Sequence, residues 1–145
     1  MELRSSAIEP GGTIPITHTC EGENLSPPFE WSGLPEGTVA LMLTCDDPDA
    51  PRGTFHHWAA YNIPATAPGL AAGAAPPATA VNDFGKPGWA GPCPPRGDKP
   101  HRYIFRLAAL KAPIEAPAGA RCAEIQRLGK PLELGHAELT GSFGR

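Results

Sequence analysis

The sequence lacks long apolar segments and paired-cysteine motifs. No apolar run approaches the ~18 residues of a transmembrane helix, and the opening Met1–Arg4 leads into no apolar stretch of a secretory signal. None of the four cysteines stands in a C-x-x-C pair, which argues against a zinc ribbon or a thioredoxin-like redox site. We therefore expect a cytoplasmic protein with free thiols at Cys20, Cys45, Cys93 and Cys122.

Basic charge is also scarce. The formal net charge is −3 at pH 7, and the longest basic grouping, Lys99–Arg102, is interrupted by Pro100 and His101. Non-specific binding to nucleic acid or to an anionic membrane needs a basic patch. The composition therefore predicts no nucleic-acid partner.

Proline and glycine, in contrast, are abundant, with 19 and 17 residues in a chain of 145. Disordered chains usually combine low hydrophobicity with a high net charge, and the net charge here is low. A fold with many short strands uses proline and glycine in its corners. Because 145 residues also suit one hydrophobic core, we expect a single all-β domain over residues 1–145.

Three segments have the pattern of buried strands. Thr38–Thr44 is a continuous apolar run of strand length, and His57–Ile63 is a second strand after a turn that contains two prolines. His101–Leu110 alternates most clearly. One of its faces carries His101, Tyr103, Phe105 and Leu107.

Weaker patterns predict the remaining elements. Ala120–Leu128 has the pattern of a helix, which Gly129 is expected to end. Ile14–Cys20 is strand-like and contains a proline typical of a sheet edge, and His136–Gly144 is expected to add a last strand. Pro64–Thr79 has little to bury, so we expect a long loop there.

Polar clusters stand at the ends of the three predicted strands. Asp46–Asp49 follows the first strand, and the pair His56 and His57 opens the second. The Gly91–Pro95 loop comes shortly before His101, which opens the third. Strand ends beside rigid loops are common places for small-ligand sites, because the scaffold fixes the geometry of the side chains.

Asp47, His57 and His101 together have the chemistry of an anion pocket. A neighbouring carboxylate favours the charged form of an imidazole, and two imidazoliums would offer N–H donors and positive charge to a phosphate or carboxylate. Tyr103, two residues beyond His101 on the same strand face, adds a hydroxyl donor. In this interpretation Asp47 orients a histidine and does not itself contact the anion.

Two sequence blocks resemble the signatures of the phosphatidylethanolamine-binding protein family, in its bacterial, Raf-kinase-inhibitor-like branch. Asp47–Pro51 followed by His57 and Trp58 resembles the first block. Gly91–Pro95 followed by His101–Tyr103 resembles the second. Further segments similar to this branch are Asn24–Pro27, Asn82–Gly85 and Glu138–Gly141.

The resemblance implies a mainly antiparallel Greek-key β-sandwich with one or two short helices and a small pocket for phosphate or a phospholipid head group. It implies neither catalysis nor a cofactor, while modulation of a protein partner and a homodimer stay open. The ligand-binding residues that it implies are Asp47, Ala50, Pro51, His57, Gly91, Pro94, Pro95, His101 and Tyr103.

Two alternatives to a binding protein remain open at this point, and both are enzymes. Cys93 lies in the loop of the second block, where a histidine could activate its thiolate in a hydrolase. A carboxylate and two imidazoles, here Asp47, His57 and His101, are also a ligand set for Fe(II) or zinc in a metal-dependent enzyme. His56 cannot join either site, because adjacent strand residues point to opposite faces and His57 faces the pocket.

Overall fold

Two antiparallel sheets form the framework of the protein, and the computed structural model describes all of residues 1–145. A smaller sheet has the strand order β1-β2-β5 and a larger one the order β6-β4-β3-β7-β8. The strands are β1 (Glu2–Arg4), β2 (Phe29–Ser32), β3 (Ala40–Asp47), β4 (Phe55–Pro64), β5 (Gly69–Leu70), β6 (Ala78–Thr79), β7 (His101–Leu110) and β8 (Glu133–Phe143). The helices are α1 (Cys122–Gly129) and two 3₁₀ turns, Ile16–His18 and Lys130–Leu132.

The main core lies between the two sheets. Phe29 and Trp31 of β2 pack in one cluster with Leu41 of β3 and Phe105 of β7. The other face of the larger sheet packs against α1, where Ile125 is fully buried. Because β3 is covered on both of its faces, its sequence is a continuous apolar run and not an alternating one.

The predicted sandwich and its principal strands are confirmed. The segments predicted around Thr38–Thr44 and His57–Ile63 are β3 and β4, and His101–Leu110 is β7 with the predicted bounds. The predicted last strand is present as β8 and begins earlier, at Glu133. The Pro64–Thr79 segment is not a plain loop, because it contributes the two-residue strands β5 and β6.

The prediction of a strand over Ile14–Cys20 is wrong. The N–H of Ile14 donates to the carbonyl of Ser142 at 2.8 Å, but Pro15 has no N–H with which to continue such a ladder. The chain turns instead, and the N–H of His18 donates to the Pro15 carbonyl at 3.0 Å. The result is a 3₁₀ turn in which His18 is buried.

The predicted helix is present as α1, which begins two residues later than predicted and ends at Gly129 as expected. The chain continues directly into the second 3₁₀ turn. A Cβ at Gly129 would lie 3.0 Å from the terminal methyl of Met42 in β3. The glycine therefore permits a close approach of the helix end to the sheet.

The prediction of four free thiols is also wrong. Cys20 and Cys93 form a disulfide bond that joins positions 73 residues apart in the sequence, whereas Cys45 and Cys122 are free and buried. The bond fastens the loop of the second signature block to the segment after the first 3₁₀ turn. No helix of the structure has the length and hydropathy needed to cross a membrane.

Candidate functional site

A cavity of about 180 Å³ opens where β3 ends and where β4 and β7 begin. Antiparallel pairing brings these strand ends together, since Asp47 pairs with Phe55 and Asp46 with Ile104. Larger open grooves elsewhere on the surface contain no histidine. The residues that line the cavity are Asp47, Ala50, Pro51, Phe55, His57, Phe84, Cys93, Pro94, Pro95, His101 and Tyr103.

Asp47 and His101 form a buried ion pair at the back of the cavity. Nδ1 of His101 lies 2.7 Å from Oδ2 of Asp47, and their side chains are only 5% and 4% exposed. The other carboxylate oxygen of Asp47 accepts the N–H of Asp49 at 2.8 Å. Both oxygens of Asp47 are therefore used inside the protein, which leaves this residue to orient the imidazole as the sequence predicted.

The second ring nitrogen of His101 also faces a carboxylate. Nε2 lies 3.1 Å from Oδ2 of Asp98, in the loop that leads into β7. Burial disfavours the imidazolium, but the hydrogen bonds to Asp47 and then to Asp98 outweigh it and raise the pKa of His101 above its usual value. Of the two histidines that line the cavity, His101 is therefore the one whose charged form the protein favours.

His57 contributes in a different way from His101. Its Nδ1 donates to the carbonyl of Ala90 at 2.7 Å, and its ring packs against Phe55 and Tyr103 at centroid distances of 4.8 and 5.4 Å. Burial lowers the pKa of His57 below its usual value. The expected pair of imidazoliums is thus reduced to one, and His57 in its neutral form presents Nε2 as an acceptor.

Tyr103 supplies an unpartnered polar group. Its hydroxyl is buried and has no hydrogen-bond partner, and burial raises the pKa of Tyr103, so the group stays protonated. Buried hydroxyls nearly always have a partner, because leaving one unpaired costs about 1–3 kcal/mol. A donor without an acceptor beside this cavity is what a binding site for an acceptor-rich ligand requires.

Comparison with known proteins places the whole chain in one family. The profile of the family described as "Phosphatidylethanolamine-binding protein" matches residues 4–144. The chain belongs to this family. A UPF0098 protein of Methanothermobacter thermautotrophicus is 41% identical over 152 residues, which cover 100% of this chain and 99% of that protein.

Solved structures of relatives have the same fold. The phosphatidylethanolamine-binding protein homolog CT736 of Chlamydia trachomatis superposes with a TM-score of 0.92 at 31% identity, covering 99% of this chain and 97% of its own. YbcL of Escherichia coli, described as a member of the mammalian family, gives 0.90 at 35% identity with coverage of 99% and 98%. The sandwich is therefore the fold of the phosphatidylethanolamine-binding protein family.

Gly91 is the one predicted site residue that does not line the cavity of this family member. Its N–H donates to Oδ1 of Asn24 at 2.9 Å, and a Cβ at this position would lie 2.2 Å from the carbonyl oxygen of His18. The glycine is needed for a close approach between two loops. It lines a neighbouring groove that shares Phe84 and Cys93 with the cavity, and its role at the rim stays a prediction.

Phe55 and Phe84 line the cavity but were not predicted to do so, whereas Cys93, which also lines it, was expected in the pocket loop as a candidate nucleophile. Phe84 belongs to the Asn82–Gly85 segment, which resembles the corresponding segment of the family's bacterial branch, and the residue is 47% exposed beside His57. Phe55 opens β4 two residues before His57, so the alternation of a strand could have placed it on the same face. No sequence pattern predicted that Phe84 lines the cavity, because this residue lies in a loop and not in the strand that carries His57.

His56 faces away from the cavity, as the alternation of β4 predicts. Its Nδ1 lies 2.7 Å from Oδ1 of Asp46, which raises the pKa of His56 above its usual value. The side-chain amide of Gln126 in α1 donates to the same carboxylate at 3.1 and 3.2 Å. This group ties α1 to the far face of the sheet.

The geometry does not provide what either enzyme hypothesis needs. Cys93 is bonded to Cys20 and has no free thiol to act as a nucleophile. Burial raises the pKa of the Cys45 thiol, and it raises that of Cys122 to about 12. Asp47, His57 and His101 do not form a metal-ligand cluster, and no group of three or more such side chains could hold an ion.

Thiol labelling tests the disulfide. Without reductant, we expect none of the four cysteines to react with iodoacetamide at the rate of glutathione, because two are bonded and two are buried. Peptide mapping should recover a linked peptide pair that contains Cys20 and Cys93. After mild reduction, these two should be alkylated while Cys45 and Cys122 still need denaturant. Rapid alkylation of Cys93 before reduction would contradict this arrangement.

Proposed function

We propose that this family member binds a small phosphate-bearing anion, of the kind found in phospholipid head groups, in the cavity beside Asp47, His57 and His101. The observation that carries the proposal is the buried Asp47–His101 ion pair next to a buried hydroxyl of Tyr103 that has no partner. An imidazolium and a hydroxyl both donate, and phosphate oxygens accept strongly. The proposed role is binding without chemistry, since no activated nucleophile faces the cavity.

The size of the cavity supports a head group and not a whole lipid. Its volume is about 180 Å³, below the roughly 300–1,000 Å³ of pockets that enclose drug-sized ligands. Ala50, Pro51, Pro94 and Pro95 line it without bulky polar side chains. A phosphate with a short substituent fits this space, and any longer chain would extend into solvent.

Location and partners stay predictions. The sequence predicts a cytoplasmic protein, but the Cys20–Cys93 bond is of a kind that persists in oxidising compartments. A Mycobacterium tuberculosis relative, 34% identical over 145 residues, has a name that describes it as a lipoprotein. Cell fractionation distinguishes these locations, and cross-linking in the cell would show whether the protein modulates a partner or forms a homodimer.

Titration of the labelled protein with phosphoethanolamine, followed by two-dimensional NMR, tests the proposal. We expect saturable shifts centred on residues 47–57 and 91–103, and their loss in His57→Ala and His101→Ala. His136→Ala is the matched control, because that histidine is exposed on β8. Inorganic phosphate in a parallel titration separates recognition of the phosphate from recognition of the head group.

The same titration has a defined pH dependence. The raised pKa of His101 extends its charged form to higher pH than in an ordinary histidine, so affinity should weaken as the pH rises through that pKa. Constant affinity between about pH 6 and about pH 9 would contradict an anion held by imidazolium. No shifts at millimolar ligand in the wild-type protein would overturn the proposed function for this protein.

A further inference from the structure

His101 is enclosed by two carboxylates, and only one of them is buried. Asp47 holds Nδ1 and is 4% exposed, whereas Asp98 holds Nε2 and is 42% exposed. An imidazolium has two N–H groups and no others. In this structure both are therefore used by carboxylates of the protein itself, although His101 is the charged donor that an anion in the cavity would need.

A defined turn presents Asp98 to the imidazole. The N–H of Asp98 donates to the Pro95 carbonyl at 3.2 Å, and the N–H of Gly97 donates to the carbonyl of Arg145 at 3.2 Å. Gly97 has a φ of +90°, which a residue with a side chain rarely adopts. The backbone thus fixes the base of the Asp98 side chain close to His101, and rotation of that side chain alone could break the contact.

The charges around the turn do not hold Asp98 elsewhere. Arg96, in the same loop, and Arg145, at the chain end, both pair with Glu21 at 3.1 Å. The ion pair of Asp98 is with His101. A carboxylate that is 42% exposed returns to water at little cost when it leaves its partner.

We propose that Asp98 is an internal competitor for the anion site: its carboxylate occupies Nε2 of His101, and a ligand anion binds by displacing it. The inference rests on the proposed function, because it specifies how the same site is filled and emptied. It follows that Asp98 lowers the affinity of the pocket for anions. The ligand must supply a better acceptor than an exposed carboxylate, which favours phosphate oxygens over a single carboxylate group.

The test is a phosphate titration of the wild-type protein beside Asp98→Asn and Asp98→Ala. Asparagine removes the competing charge, and alanine removes the hydrogen bond as well. Glu115→Gln is the matched control, since it removes one negative charge from an exposed residue beyond the far end of β7. We expect inorganic phosphate to bind about ten-fold more tightly to both Asp98 variants, a change of about 1.4 kcal/mol. The control should stay within about two-fold of wild type, well inside that change.

Each outcome separates this inference from the proposed function. Binding to wild type together with tighter binding to both Asp98 variants supports it, whereas binding to the Asp98 variants alone would overturn the proposed function for the wild-type protein. If wild type binds phosphate and the Asp98 variants bind no more tightly than Glu115→Gln, Asp98 is not a competitor and the proposed function stands. If no variant binds phosphate, both are overturned. The ring signals of His101 without ligand give a second readout, because its pKa should fall in Asp98→Asn if the contact exists in solution.

Discussion

Asp47→Ala should lower the free energy of unfolding by about 3 kcal/mol, the cost of removing one partner from a buried ion pair. The carboxylate is 4% exposed and pairs with His101, which is 5% exposed. It also accepts the N–H of Asp49, so the variant loses a turn contact as well. Urea unfolding near pH 6 measures the effect, and phosphate binding should be lost together with the oriented imidazolium.

Asp49→Ala is the matched control for this substitution. Asp49 lies two residues away and pairs with Arg102 at the surface, where ion pairs contribute at most about 1 kcal/mol. Equal losses of stability in the two variants would contradict the view that the Asp47–His101 pair is the buried, energetically important one. The comparison removes one carboxylate from the same turn in both cases.

The loss of unfolding free energy in Asp47→Ala should also depend on pH, and the pKa shift of His101 gives the direction of that dependence. The folded-state pKa of His101 is raised, so the contribution of its charge is fully present below the ordinary histidine pKa of about 6.5. It is lost as the pH rises through the raised folded value. The difference between wild type and Asp47→Ala should therefore shrink at alkaline pH, down to the part due to the Asp49 hydrogen bond and to the hydrogen bond that neutral His101 can still donate from Nδ1.

Local patterns predicted the central strands because a buried or alternating strand shows its apolar pattern within a short stretch of sequence. β7 was located to the residue, since its inward face reads His101, Tyr103, Phe105 and Leu107 without interruption. The prediction of a strand over Ile14–Cys20 was wrong for a reason that the local sequence pattern does not show. Whether Pro15 ends a ladder depends on its pairing with β8, which lies more than a hundred residues later in the chain.

The part of the candidate site that lies at the ends of strands was predictable from the sequence. Asp47 closes β3, His101 opens β7 and His57 is the third residue of β4, so antiparallel pairing was enough to bring them together. The contacts that modify the site come from distant loops. Asp98 on the imidazole and the disulfide at Cys93 both depend on loop conformations that the spacing of residues does not determine.

Gly91→Ala should destabilise the protein by about 3 kcal/mol, at the upper end of what overpacking costs. The added methyl would lie 2.2 Å from the backbone oxygen of His18 and 2.6 Å from Oδ1 of Asn24, and a backbone group cannot move aside as a side-chain end can. The variant should also bind phosphate weakly, because Ala90, whose carbonyl accepts from His57, is the adjacent residue. Thermal unfolding and the phosphate titration measure the two effects.

Gly144→Ala provides the comparison for this last substitution. The nearest atom to its added methyl would be a side-chain carbon of Pro100 at 3.2 Å, so a small shift near the chain end relieves the contact. We expect a loss below about 1 kcal/mol there, as for substitutions that strain no backbone. If Gly91→Ala unfolded at the same temperature as Gly144→Ala, the loop would have room for a side chain. The close approach of the 91–95 loop to His18 would then not be what positions Ala90 behind His57.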